Sequence, residues 1–140
     1  AVITNAYGAG EFSPRFVNST IRKIIAGEPL QFTAATQNYD FIYIDDVARA
    51  FEAIGEYGIA NKEYTIGSGN ARPLKEVILE MQNELAPEAK PIFGDVPFTG
   101  VNMPLEAFDT TDIETDCHFK PEISFAEGTR LTMEWIKSVD

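Results

Sequence analysis

Apolar side chains recur with a helical period over four stretches of the chain. In the first, Phe16, Val17, Ile21, Ile24 and Ile25 fall on one face. Ser13 and Pro14 predict its start, as N-cap and first helical residue, and Gly27 with Pro29 predicts its end. Val47, Ala50, Phe51 and Ile54 predict a second helix, capped by Asp45 and reaching about Tyr57. Leu74, Val77, Ile78, Met81 and Leu85 predict a third, ended before Pro87. Leu131, Trp135 and Ile136 face inward in a fourth. Its opening, Ser124-Phe125-Ala126-Glu127, is a capping box, with the Glu127 N–H donating to Ser124 and the Glu127 side chain reaching back.

Short segments rich in β-branched and aromatic residues lie between the helices. Residues 1–4, 30–34, 39–44 and 63–67 read as strands, 35–38 as a turn, and Pro91-Ile92-Phe93 as a brief strand. Residues 87–104 hold four prolines and read as irregular, and Asp109 is placed to cap a short helix over 110–116. Helices alternating with short strands give an α/β or α+β class. The expected inward set is Phe16, Val17, Ile21, Ile24, Phe51, Ile54, Leu74, Val77, Ile78, Met81, Leu131 and Trp135.

Composition narrows the function classes. A chain of 140 residues with 44% hydrophobic content and 16 aromatics can bury a core as one domain. No apolar run approaches the roughly 18 residues that span a bilayer. Cys117 is the sole cysteine and has no internal disulfide partner, which fits a reducing cytoplasm. The net charge of −11 opposes nucleic-acid binding, which needs a basic surface. Two local groupings run against that acidity: Arg15, Arg22 and Lys23, and Arg72 with Lys75.

Candidate chemistry is sparse. Gly8-Ala9-Gly10 and Gly67-Ser68-Gly69 resemble dinucleotide turns, but Ser13 and Arg72 stand where the third glycine belongs. Cys117 and His118, adjacent in sequence, are too few for a zinc site. His118 reads as a surface residue and Asp45-Asp46 as helix-start caps. Asp109, Asp112 and Asp116 lack the glycine and bidentate glutamate of a calcium loop. No catalytic residue and no metal ligand is expected.

The run Tyr39-Asp40-Phe41-Ile42-Tyr43-Ile44-Asp45-Asp46-Val47-Ala48-Arg49-Ala50-Phe51 stands between Thr4-Asn5-Ala6-Tyr7-Gly8 and Glu63-Tyr64-Thr65-Ile66-Gly67. The chain closes on Phe119-Lys120-Pro121, Phe125, Gly128 and Trp135. In this order the four segments resemble the C-terminal, substrate-binding part of the extended short-chain dehydrogenase/reductases, the NAD(P)-dependent nucleotide-sugar epimerases and dehydratases. The resemblance implies the last two strands of a nucleotide-binding sheet plus a small helical substrate-binding lobe. Residues 1–140 would form one substrate-binding domain fragment, with the dinucleotide-binding part lying upstream. The strand-like start at residues 1–4 agrees with a fragment.

The resemblance also implies roles. Thr4 would sit beside the nicotinamide, and Asn5 would donate to a substrate diphosphate. Arg15 and Phe16 would meet the nucleotide, Gln31 and Thr33 would edge its base, and Tyr39 and Asn70 would approach the phosphates. Many relatives carry an arginine where Tyr39 stands, and residues 97–108 hold no Arg or Lys. The family's catalytic Tyr-x-x-x-Lys pair is absent, because no tyrosine here is followed by lysine four positions on. The expectation is therefore a nucleotide-sugar-binding portion that is inactive alone. NAD or NADP belongs to the parent protein and is not held tightly by this chain. The partner is a small nucleotide sugar, with no nucleic acid and no membrane, in a parent read as a cytoplasmic homodimer. The alternative is a non-catalytic binding module with the same fold.

Overall fold

The computed structural model describes residues 1–94, 100 and 102–139. Eight strands, each of two residues, pair as four separate ladders: β1 (Val2–Ile3), β2 (Ala6–Tyr7), β3 (Gln31–Phe32), β4 (Asn38–Tyr39), β5 (Ile42–Tyr43), β6 (Thr65–Ile66), β7 (Arg72–Pro73) and β8 (Ile92–Phe93). The helices are α1 (Phe16–Ala26), α2 (Ile44–Tyr57), α3 (Leu74–Leu85), α4 (Thr111–Cys117) and α5 (Phe125–Val139), with a 3-10 turn at Leu105–Phe108. Residues 95–99 and 101, within the expected irregular segment, lie outside the described residues.

Strands β1 and β6 run parallel with Val2 opposite Thr65, and β2 and β5 run parallel with Tyr7 opposite Tyr43. Helix α2 follows β5 directly and precedes β6, so it is the link that carries the chain between these two parallel pairs. β3 pairs parallel with β8, whereas β4 pairs antiparallel with β7, Tyr39 facing Arg72. The family-like layout of short parallel strands with helices packed on them is therefore present. Helix α5 packs on α1 and α3, and α4 packs on α2.

One apolar core lies between α2, α4 and the β5 and β6 strands, built from Ile42, Val47, Ala50, Ile66, Ile113 and Phe119. A second lies beneath α1, α3 and α5, with Tyr7, Val17, Ile21, Met81 and Ile136 at its centre. Of the expected inward set, Val17, Ile21, Leu74, Val77, Ile78 and Met81 are buried, and five more are half-buried. Phe51 is the exception, at 48% exposure. Asp46, Val47 and Ala50 define the inner face of α2. Residue 51 follows Ala50 by about 100° around the helix and turns outward.

Local capping differs from the sequence reading. Helix α1 starts at Phe16 with Arg15 in the cap position and no side-chain cap. Ser13 is diverted, because its N–H and hydroxyl both donate to the Glu11 carboxylate, at 2.9 and 2.5 Å. Pro14 accordingly lies ahead of the helix. Gly27 ends it in the left-handed region at φ 71°, with Gly27 N–H bonded to Ile24 and Glu28 N–H to Lys23.

Helix α2 starts one residue before Asp45 with an extended Tyr43 and no side-chain cap. Asp45 stays exposed in the first turn, but Asp46 is fully buried and is no cap. Its carboxylate accepts the Ile123 N–H at 3.0 Å, the Glu122 N–H at 3.1 Å and an Arg49 N–H at 2.7 Å. The pair Asp46–Arg49 thus anchors the chain that enters α5.

The expected strand over 39–44 is interrupted at Asp40, whose side chain turns inward to bond Thr4 and Ser68. Thr110 occupies the α4 cap position, while Asp109 Oδ1 accepts the Thr111 N–H at 3.0 Å. The Glu127 N–H reaches Ser124 Oγ at 3.2 Å, and the return half of the capping box is not made among the described residues.

Candidate ligand cleft

A cavity of about 690 Å³ runs along α1. That volume lies within the usual range of small-molecule sites. Asn5 follows β1, Arg15 and Phe16 open α1, Gln31 lies on β3, Thr33 follows it, and Tyr39 ends β4. All six line this cleft. Thr4 does not line this cleft. Its hydroxyl donates to Asp40 Oδ2 at 2.8 Å and its N–H to Ile66 O at 3.0 Å. Asn70 lines a neighbouring cleft of about 310 Å³ with Ser68, Arg72, Glu80 and Phe125. The residues to which the resemblance gives diphosphate and nucleotide roles are therefore divided between two clefts. Their shared wall is Tyr39 and Phe41, stacked at 5.7 Å between centroids and 8° between planes. Phe16 extends that stack over the other face of Phe41, at 5.9 Å.

The first cleft is the less acidic face of an acidic protein. Arg15 and Lys23 line it with Glu11 as the one carboxylate. Glu11 is held below the ordinary carboxylate range by the Ser13 hydroxyl and N–H and by the nearby Arg15 charge. Arg15 makes no ion pair among the described residues, so its guanidinium is available to an anion. In the second cleft Arg72 already pairs with Glu80 and stands over the Phe125 ring at 5.8 Å. Arg72 lies directly across from Tyr39 in the β4·β7 pair. Where the resemblance implies an arginine at position 39, the positive charge here is on Arg72 of the opposite strand, bound to a carboxylate.

Several structural residues escaped the sequence reading. Asp40 is 1% exposed and joins the Thr4 loop to the Ser68 N–H at 2.8 Å. Its parity with Ile42 was the available signal, since alternate residues of a strand share a face. Asn18 is buried in the first turns of α1, and its amide donates to Gly8 O at 3.3 Å and Glu11 O at 3.2 Å, holding the loop that leads into the cleft. Tyr7 lines the cleft, and burial pushes its phenol well above the ordinary tyrosine range, so it stays protonated. His118 is exposed, at the left-handed end of α4, with its ring edge-on to Tyr57 at 5.6 Å. No group of metal-ligating side chains occurs among the described residues.

The glycine turns do not fit a dinucleotide cradle. A Cβ at Gly8 would meet Ile44 at 2.8 Å and Tyr43 at 3.0 Å, so Gly8 serves packing against the start of α2. A Cβ at Gly67 would collide with the Asp40 carboxylate and meet Thr4 at 2.9 Å. Both glycines let side chains of this chain approach, so the first glycine of each turn serves internal packing.

The comparisons with known proteins agree with this layout. The sequence model described as the NAD dependent epimerase/dehydratase family matches residues 1–67. A dTDP-glucose 4,6-dehydratase of Shigella flexneri is 26% identical over 139 residues, covering 94% of this chain and 38% of that protein. Over its first 67 residues the chain is similar to the NAD-dependent epimerases and dehydratases. It spans about two fifths of the length of that dehydratase. Two solved structures share the fold of this chain. A UDP-glucose 4-epimerase of Thermotoga maritima, solved with UDP-glucose, superposes with a TM-score of 0.81 at 22% identity, over 97% of this chain and 44% of its own. A UDP-glucuronic acid 4-epimerase of Bacillus cereus, solved with UDP-glucuronic acid and NAD, gives 0.80 at 22% identity, over 99% and 44%. No helix among the described residues is long and apolar enough to cross a membrane.

Proposed function

We propose that this chain is the substrate-binding portion of an NAD(P)-dependent nucleoside-diphosphate-sugar epimerase or dehydratase, with the nucleotide held in the cleft along α1. The observation that carries this reading is the convergence of Asn5, Arg15, Phe16, Gln31, Thr33 and Tyr39 on one cavity. These residues are scattered over five elements and loops, and they bring aromatic faces, amides and an unpaired guanidinium together. Such a lining suits a planar base joined to phosphates. Asn70 and Arg72 in the second cleft would meet the rest of the ligand across the Tyr39–Phe41 wall.

Redox chemistry and the dinucleotide site lie, in this reading, in a part of the parent protein outside these 140 residues. Thr4, bonded to Asp40, would meet the nicotinamide in this reading. Compartment and assembly, read as cytoplasmic and homodimeric, belong to the parent.

Titration of the 140-residue chain with UDP or dTDP, followed by amide NMR, tests the reading. Saturable shifts at Arg15, Phe16, Gln31 and Thr33 are expected, with no saturable heat for NAD at millimolar concentration. Turnover of dTDP-glucose by this chain alone, well above a blank, would overturn the division of labour. An absence of nucleotide-induced shifts along the cleft would overturn the binding site.

A further inference from the structure

Gln37 presents an uncommitted amide to the cleft along α1. The residue is 6% exposed and lines the cavity, yet its side chain makes no hydrogen bond among the described residues. A largely buried primary amide without a protein partner is costly unless water or a ligand serves it. It is also reachable. Among the described residues, the one side-chain oxygen or nitrogen that is both sealed from solvent and unpartnered is Asn18 Oδ1, so the Gln37 amide keeps some access to solvent in the cleft it lines.

The backbone around Gln37 is built to hold that side chain still. The Leu74 N–H donates to Gln37 O and the Lys75 N–H to Ala35 O, both at 2.8 Å, so the turn caps the start of α3. Thr33 Oγ1 accepts the Ala35 N–H at 3.1 Å. Ala35 is buried in the left-handed region at φ 57°, where a residue with a Cβ is strained. The Thr33 hydroxyl, having accepted, keeps its proton to donate. Gln31 and Thr33 line the same wall.

We infer that Gln37 is a specificity residue of this cleft, whose carboxamide hydrogen-bonds the polar edge of a pyrimidine base carrying a carbonyl beside an N–H. A primary amide matches such an edge with one donor and one acceptor in a plane. The aromatic stack of Phe16, Phe41 and Tyr39 bounds the same cleft. The assignment rests on the nucleotide reading above.

The test uses the 140-residue chain, UDP, and ribose 5-phosphate as a probe without the base. Gln37→Leu keeps the volume and removes the hydrogen-bonding groups. UDP is expected to move the Gln37 side-chain amide signals of the wild type. The substitution is expected to weaken UDP about 5- to 10-fold, as loss of one or two neutral hydrogen bonds would. Ribose 5-phosphate binding should be unchanged. The melting temperature should stay the same or rise, since no protein partner is lost. A Gln37→Leu chain that binds UDP as the wild type does would overturn the assignment and leave the nucleotide reading standing. Equal losses for both probes would move Gln37 to the sugar–phosphate part and overturn the base contact. A lowered melting temperature with unchanged UDP shifts would make Gln37 structural. A wild type that ignores UDP would overturn both readings together.

Discussion

Gly128 lies directly beneath the Tyr7 hydroxyl. A Cβ at position 128 would collide with that oxygen and meet the Tyr7 ring at 2.8 Å and the Tyr43 ring at 3.0 Å. The glycine sits inside α5, where its missing side chain lowers helix propensity, and the close approach of the aromatic cluster is what it permits. Tyr7 packs edge-on to Tyr43 at 5.5 Å and against Phe125 at 5.4 Å, so this contact sets how α5 seats on the β2·β5 pair.

Gly128→Ala is therefore expected to destabilise the fold by about 1–3 kcal/mol through overpacking. This runs against the gain of about 1 kcal/mol that alanine brings to a helix interior. Tyr7→Phe removes the nearest atom and should recover part of the loss in the double variant. Urea denaturation of the four species checks it, and additive effects would show that the two sites do not touch in solution.

Asp40 is expected to be a stability residue. Asp40→Ala strips the acceptor from the Thr4 hydroxyl and the Ser68 N–H and hydroxyl. A hydrogen bond to a charged group contributes about 1.5–3 kcal/mol, so the loss should reach at least about 3 kcal/mol. The readout is the denaturation midpoint, with Asp40→Asn falling between the two. An unchanged midpoint would mean that water replaces the carboxylate.

Arg15→Ala should act on binding and not on folding. The side chain is exposed, caps nothing and forms no ion pair among the described residues. Loss of a charge-assisted contact predicts roughly 10- to 150-fold weaker UDP binding, from about 1.5–3 kcal/mol. The melting temperature should not move. Equal UDP affinity in calorimetry would make Arg15 an ordinary solvated residue.

The acid limb of stability should depend on Asp116. The Lys62 ammonium at 2.6 Å and the Tyr64 hydroxyl at 2.8 Å hold its carboxyl below the ordinary range. A carboxyl whose folded pKa lies below its unfolded value stabilises the fold above the unfolded pKa, near 4. That contribution is lost as pH falls through the folded value. Asp116→Asn should flatten the decline in melting temperature below about pH 4. An acid limb identical to wild type would show that the pair does not form in solution.

Much of this protein was legible in its sequence because the signals were local. The apolar stripes of α1, α3 and α5 follow from the helical period alone, and Gly27 ends α1 because only a residue without a Cβ enters the left-handed region freely. The segments carrying the family resemblance are local as well. The resemblance implied ligand roles for Asn5, Arg15, Phe16, Gln31, Thr33, Tyr39 and Asn70, and nothing in their spacing requires that all but Asn70 line one cleft.

Only the tertiary structure decided where the polar side chains spend their hydrogen bonds. Ser13 and Asp45 stand at helix starts and satisfy every local rule for a cap, yet Glu11 takes Ser13 and Asp45 remains in solvent. Asp46 looks like its neighbour in sequence but faces two N–H groups from residues 122 and 123. Asn70 falls on the far side of the Tyr39–Phe41 wall because β7 pairs with β4, a contact between residues more than thirty positions apart. A helix satisfies its backbone within itself, so its pattern is written in neighbouring residues. A two-residue strand and a buried carboxylate are satisfied only by groups distant in the chain, and no local pattern specifies which groups those are.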